Sequence, residues 1–150
     1  MSMTHNSTAD AAFLFWLSVG MARHHAAGLV AQEFAESGYD PKAVGDHHQA
    51  FGLFQVHGAR AAAIKHGCGI DLTTLPPQAK QLQAAWYELS IGGEKRALKM
   101  IKATLTAYNA GHDACRYWER PANKADWAKR GNYAVALLAD FNARKIGVMA

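Results

Sequence analysis

The stretch Ala35 to Gln55, AESGYDPKAVGDHHQAFGLFQ, decides how the chain is read. An apolar helical segment leads into it, with Ala27, Val30 and Phe34 on one stripe between Ala26 and Ser37. Gly38 and then Pro41 end that segment in the order expected of a C′ glycine followed by a proline. Glu36 therefore belongs to the last helical turn, on the flank of the apolar face and on the side of Leu29 and Glu33. The negative end of the helix dipole disfavours its ionised form by about 0.3–1 kcal/mol, and burial would add to that. Gly, Asp, Pro and His from Gly38 to Ala50 predict a loop or short irregular hairpin, and Phe51 to Val56 a short strand or turn. That loop returns the amide of Gln55 toward the carboxyl. A carboxyl that keeps its proton opposite hydrogen-bonding groups is the arrangement of a general acid. The plain alternative is a solvated glutamate at a helix end.

Outside this stretch the pattern is helical. Phe13, Leu14, Trp16, Leu17 and Met21 recur at helical spacing behind a Ser7-x-x-Asp10 capping signature. The apolar run Ala11 to Ala22 lacks a preceding Lys or Arg and is too short to span a bilayer, so it reads as a first helix rather than a signal peptide. His57 to His66 predicts an Ala-rich helix ending at Gly67 and Gly69. Thr74 is the expected cap of the next helix, with Pro76 and Pro77 near its first turn and Leu82, Trp86 and Leu89 on its apolar face. Gly92-Gly93 breaks it before a helix from Glu94 to Thr106. Ala110-Gly111 predicts a further stop, and Ala125 to Lys145 a closing amphipathic helix. With no repeat, linker or low-complexity tract, residues 1–150 read as one compact, mainly helical domain.

Composition narrows the class. Half of the 150 residues are hydrophobic and 19% are charged, as in a globular chain with a sizeable core. Sixteen Lys and Arg against twelve Asp and Glu give a net charge of +4. That favours polyanionic partners such as nucleic acid, anionic lipid or wall polymer. The basic residues are scattered rather than blocked, so a nucleic-acid surface is not indicated. Cys68 and Cys115 match no C-x-x-C spacing and read as reduced thiols, with a single disulfide left open. His24-His25, His47-His48, His57 and His66 invite a zinc reading. No H-E-x-x-H or similar spacing is present, so no metal and no cofactor is expected.

Glu36-Ser37-Gly38, Pro41-x-Ala43-Val44, Gly52-Leu53-Phe54-Gln55 and Ala107-Tyr108-Asn109-Ala110-Gly111 occur in that order. Together they resemble the lytic transglycosylases, the goose-type lysozymes and especially the phage tail-type lysozymes of the lysozyme-like superfamily. The resemblance runs from about residue 26 to 118, with Phe54 standing where Met is commoner. It implies an α+β lysozyme-like fold, a helical bundle with a short irregular hairpin beside a cleft. It also implies cleavage of the β-1,4 bond between N-acetylmuramic acid and N-acetylglucosamine in bacterial peptidoglycan. Glu36 then matches the general acid, and Ser37 the serine that hydrogen-bonds around the site. Gln55 matches the amide lining the cleft, Tyr108 the tyrosine beside the catalytic carboxyl, and Asn109 its neighbour. His57 is expected in the cleft wall. Asp46 is the leading second carboxylate, ahead of Asp40, whose place before Pro suits a turn. Trp118 is a minor candidate for sugar stacking, against the commoner packing role.

Three readings stay open on the sequence. The first is a muramidase or, with 1,6-anhydro products, a lytic transglycosylase, which needs no second carboxylate. The second is a wall-binding or virion structural module without turnover, and the third a metal-dependent amidase or peptidase. Delivery to the wall or periplasm is expected by a phage virion or lysis system, with other virion or lysis proteins as partners and no stable membrane insertion.

Overall fold

The computed structural model describes residues 2–149. Its elements in chain order are α1 (Ser7–Ser18), α2 (Arg23–Ser37), β1 (Val44–Gly45), β2 (Ala50–Phe51), β3 (Val56–His57), α3 (Gly58–Cys68), α4 (Gln78–Ser90), α5 (Lys95–Lys102), α6 (Ala107–Ala114) and α7 (Ala125–Ala143). A 3₁₀ turn, Leu72–Thr74, precedes α4, and a π turn, Cys115–Glu119, continues α6. The strands form one antiparallel sheet in the order β1-β2-β3, with Val44 opposite Phe51 and Ala50 opposite His57. The fold is α+β and lysozyme-like, a single helical body with a short hairpin sheet.

Helix α2 is the axis of the molecule. Every residue from His25 to Glu33 is buried, because α1, α6 and α7 cover it on different sides. Three glycines let the last two helices come close. A Cβ on Gly28 would stand 2.7 Å from the carbonyl carbon of Ala110, one on Gly111 2.5 Å from the carbonyl oxygen of Arg130, and one on Gly131 2.7 Å from the Tyr108 ring. Contacts that short leave no room for a methyl group, so α2, α6 and α7 meet with backbone at the interface.

Ala110-Gly111 is therefore not the predicted stop: both residues lie inside α6, where their smallness serves packing. The helix expected from Glu94 to Thr106 ends at Lys102 instead, and Thr106 starts α6 by accepting the Asn109 N–H on its hydroxyl at 3.1 Å. Asn6, not Ser7, caps α1, accepting from the Thr8 and Ala9 amides at 2.9 and 3.1 Å. Thr74 closes the 3₁₀ turn by donating to the Asp71 carbonyl, and Pro77 takes the cap position of α4. Gly38, at φ 61°, ends α2 where the sequence places its stop.

The hairpin is fastened to the helices from beneath. Leu53, Phe54 and Val56 are buried, and Phe54 lies between Trp16 and Trp118, with ring centroids 6.4 and 4.9 Å away. Gln81 of α4 accepts the Leu53 N–H and donates to the carbonyls of Pro41 and Pro76, all at 2.7–2.8 Å. One buried amide thus ties the hairpin, the loop before it and the entry to α4 together. Trp118 is wholly buried and donates its indole N–H to Glu88 at 2.8 Å, which removes it from any sugar platform. Cys68 is exposed, Cys115 is buried, and both thiols are free. Among the described residues no helix is long and apolar enough to cross a membrane.

Candidate active site

The end of α2, the hairpin, the start of α3 and the segment after the π turn enclose a cleft of about 430 Å³. Glu36, Asp46, Gln55, His57, Arg60 and Glu119 line it, with Arg120, Pro121 and Ala122 at the rim. Glu36 is placed by the last turn of α2 and keeps 19% of its side chain exposed. Its Oε1 accepts from Nη1 of Arg130 on α7 at 2.7 Å.

Arg130 is itself nearly buried, and a polar chain fixes it. Its Nη1 also donates to Oε1 of Gln32 at 3.1 Å, and Nε2 of Gln32 donates to the carbonyls of Gly28 and Gly111 at 2.9 Å. The carboxyl at the cleft is thus referenced to the backbone of α2 and α6 through two side chains, Nη1 of Arg130 and the amide of Gln32.

Glu119 is the residue that the sequence reading missed. Its Oε1 is shut away from solvent without a hydrogen-bond partner among the described residues. Burial holds its carboxyl well above the usual range, and the neighbouring charge of Glu36 raises it further. The Glu119 carboxyl is thereby held toward its protonated form by burial first and by the adjacent negative charge second. Two guanidiniums, those of Arg60 and Arg130, act on the buried Glu119 carboxyl beside Glu36 and oppose that effect.

The π turn explains why periodicity hides Glu119. Its Arg120 N–H reaches back to the Cys115 carbonyl, five residues earlier, at 2.6 Å. The extra residue rotates the next side chains by about 100° relative to a continuing α-helix. A helical wheel run on from α6 therefore points Glu119 away from where it lies.

Asp46 does reach the cleft, on an unusual turn. Asp46, His47 and His48 stand at φ 49°, 54° and 65°, three left-handed residues in succession and none a glycine. Such conformations cost about 1–2 kcal/mol each, and Asp and His tolerate them better than most residues. The Asp46 carboxylate lies 3.4 Å from Nδ1 of His57, with both side chains more than half exposed. Asp46, the expected second carboxylate, lines the cleft from the hairpin, and Glu119 lines it from the π turn.

Gln55, at φ 48°, donates both amide hydrogens to its own hairpin, to the carbonyls of Ala43 at 3.1 Å and Gly52 at 2.9 Å. Its Oε1 is left as the acceptor, packed so near Gly45 that a Cβ there would stand 2.6 Å away. Ser37, Tyr108 and Asn109 do not line the cleft. The Ser37 hydroxyl folds back onto the Glu33 carbonyl at 3.0 Å. The Tyr108 ring rests on Gly131, and Asn109 faces a separate hollow beside Thr104 and His112. The Ala-Tyr-Asn-Ala-Gly segment reaches Glu36 indirectly, through the Gly111 carbonyl, Gln32 and Arg130. His24 and His25 both contact the Thr104 carbonyl, at 3.0 and 2.9 Å, far along α2 from Glu36. Among the described residues no three His, Cys, Asp or Glu side chains are grouped to hold a metal ion.

A family model described as phage tail lysozyme matches residues 7–141, from the first residue of α1 to the last turns of α7. The chain belongs to the phage tail lysozyme family. No curated protein matches it significantly. As a phage tail lysozyme by family, it is a phage-associated, lysozyme-like peptidoglycan hydrolase in coarse function, with peptidoglycan as the substrate the family implies. The family match spans both walls of the cleft, including Glu119 and Arg130 as well as Glu36.

Proposed function

We propose that this tail lysozyme is a muramidase that cleaves the β-1,4 bond between N-acetylmuramic acid and N-acetylglucosamine, with Glu36 as its general acid. The observation that carries the reading is Glu36 at the edge of an open cleft, held by Arg130 at 2.7 Å, with the proton-retaining carboxyl of Glu119 in the same lining.

Glycoside cleavage needs a proton on the leaving oxygen as an oxocarbenium-like centre develops on the sugar. Of the two glutamates Glu36 keeps part of its side chain exposed while Oε1 of Glu119 is buried, so Glu36 is the one that delivers the proton. Arg130, 2.7 Å from Oε1, then stabilises the carboxylate that delivery leaves behind. Glu119 keeps the next proton close, out of reach of bulk water. Across the cleft the Gln55 Oε1 accepts from an acetamido N–H or a sugar hydroxyl. Asp46, exposed on the hairpin, activates the attacking water in this reading.

Glu36→Gln should leave the fold intact and lower the clearing of purified peptidoglycan by about 10²–10⁴-fold, the usual range for a general acid. Undiminished clearing would sink the assignment. The exposure of Asp46 and its contact with His57 favour one second reading, a lytic transglycosylase in which Glu36 acts twice and a substrate hydroxyl closes a 1,6-anhydro ring. Mass spectra of the released fragments separate the two: reducing ends for the muramidase, anhydro ends for the transglycosylase. Delivery to the wall by a virion or lysis system completes the proposal.

A further inference from the structure

A second pocket, of about 390 Å³, opens beside the cleft, and Arg120 forms a wall of both. Glu94 and Arg96 border it from the start of α5, and Arg116 and Tyr117 from the π turn. Three guanidiniums meet here with one carboxylate. Arg120 is matched by Glu94 through two hydrogen bonds of 2.7 Å. Arg96 and Arg116 have no carboxylate partner among the described residues.

Aromatic rings hold these two arginines instead. The Arg96 guanidinium lies 5.7 Å from the Tyr117 ring centroid, and that of Arg116 lies 5.0 Å from the centroids of both Tyr117 and Trp127. Stacking fixes a guanidinium through its π face and leaves its N–H edge free to donate. The result is a pair of positioned, unneutralised forks in a concave site, a geometry that fits a carboxylate bidentately. The like charges repel each other, and a bound anion relieves that repulsion.

We infer that this pocket binds the free carboxylates of the peptide stems carried by the glycan. The inference rests on the peptidoglycan reading above and names the part of that substrate that the second pocket takes. The shared wall at Arg120 is the reason to choose the stems. An occupant of the second pocket must lie beside whatever fills the Glu36 cleft, and peptide stems branch from the muramic acid residues of the same strand. A nucleic acid or a long wall polyphosphate calls for a basic stripe, whereas the unmatched cations lining this hollow are Arg96 and Arg116, with Lys124 beside them over the Trp127 ring at 5.8 Å.

The experiment has two parts. Binding of a free stem tetrapeptide, of the same peptide with its carboxylates amidated and of a soluble polyglycerol phosphate is followed by tryptophan fluorescence, since Trp127 lies under Arg116. The free tetrapeptide should perturb the emission saturably and the amidated one should not. Arg96→Gln and Arg116→Gln should each weaken that binding about tenfold or more. Equal binding of the amidated peptide, or binding of the polyphosphate in preference to the tetrapeptide, overturns the inference. The second part compares cleavage of peptide-bearing glycan strands with strands stripped by an amidase. The double variant should raise KM on the bearing strands alone, with little change in kcat. An equal loss on both substrates overturns the inference. If the wild-type chain cuts neither substrate, the muramidase reading fails, while tetrapeptide binding still reports on the pocket itself.

Discussion

Glutamine in place of Glu119 keeps a side chain of the same size but removes the ionisable group that faces Glu36. The burial and the Glu36 charge that hold the Glu119 proton above the usual carboxylate range then have no group to act on. Glu119→Gln should therefore move the alkaline limb of the pH–activity profile to lower pH, by a unit or more in order of magnitude, with a smaller change at the acidic end. An unshifted profile would show that the pair does not govern the reactive proton. Arg130→Met is the complementary test. It leaves two carboxyls and Gln32 without their shared cation, and losing one partner of a largely buried ion pair costs about 3–5 kcal/mol. Denaturant unfolding should register that loss at neutral pH, and less of it at a pH low enough to protonate both carboxyls.

Among the elements, the hairpin depends on Gln81, a residue of α4 outside the cleft. Gln81→Leu would leave the buried Leu53 N–H and the half-buried carbonyls of Pro41 and Pro76 without this partner. Each such loss costs about 1–3 kcal/mol before water relaxes into the gap. Amide exchange at Leu53 should accelerate and activity should fall, because Asp46, Gln55 and His57 all ride on the hairpin. Elements also show what the sequence could tell. The stretch from Glu36 to Gln55 was legible because its breakers act locally: Gly38 stops α2 and the Gly-led turn returns Gln55. The Ala-Tyr-Asn-Ala-Gly segment was misleading because its glycine answers to a neighbouring helix, which local pattern does not record. Glu119 was hidden by a change of helical pitch, and Arg130 by distance along the chain. A basic residue on the polar side of an amphipathic helix gives no sign that it turns inward.

At the scale of the whole molecule, the buried acid that matters is Glu33. Glu33 is fully enclosed, its Oε1 has no partner among the described residues, and the nearest donor to its other oxygen is Nε2 of Gln78 at 3.4 Å. Burial pushes its pKa from an ordinary value of 4.5 up to about 8. The folded state thus holds a proton that the unfolded chain releases. The associated stability is complete below about pH 4.5 and is lost as pH rises toward 8. Within that window the slope approaches about 1.4 kcal/mol per pH unit. Glu33→Gln should flatten the decline, seen as a smaller difference in unfolding free energy between pH 5 and pH 8. A decline as steep as that of the wild type would assign the pH dependence to other groups.

The contacts at Gly28, Gly111 and Gly131 bear on how this enzyme tolerates change. Glu36 and Arg130 sit on helices α2 and α7, whose distances from α6 are gauged at glycines: Gly28 against the Ala110 backbone, Gly111 against the Arg130 carbonyl and Gly131 against the Tyr108 ring. Core residues can drift, swap or shrink without altering that gauge, while a single methyl group at one of the glycines would wedge the two jaws apart. A library that randomises the apolar positions of α2, α6 and α7 but keeps these glycines should retain more active clones than one that preserves the apolar residues and admits alanine at 28, 111 and 131. The calibration of the site lies in what the chain leaves out.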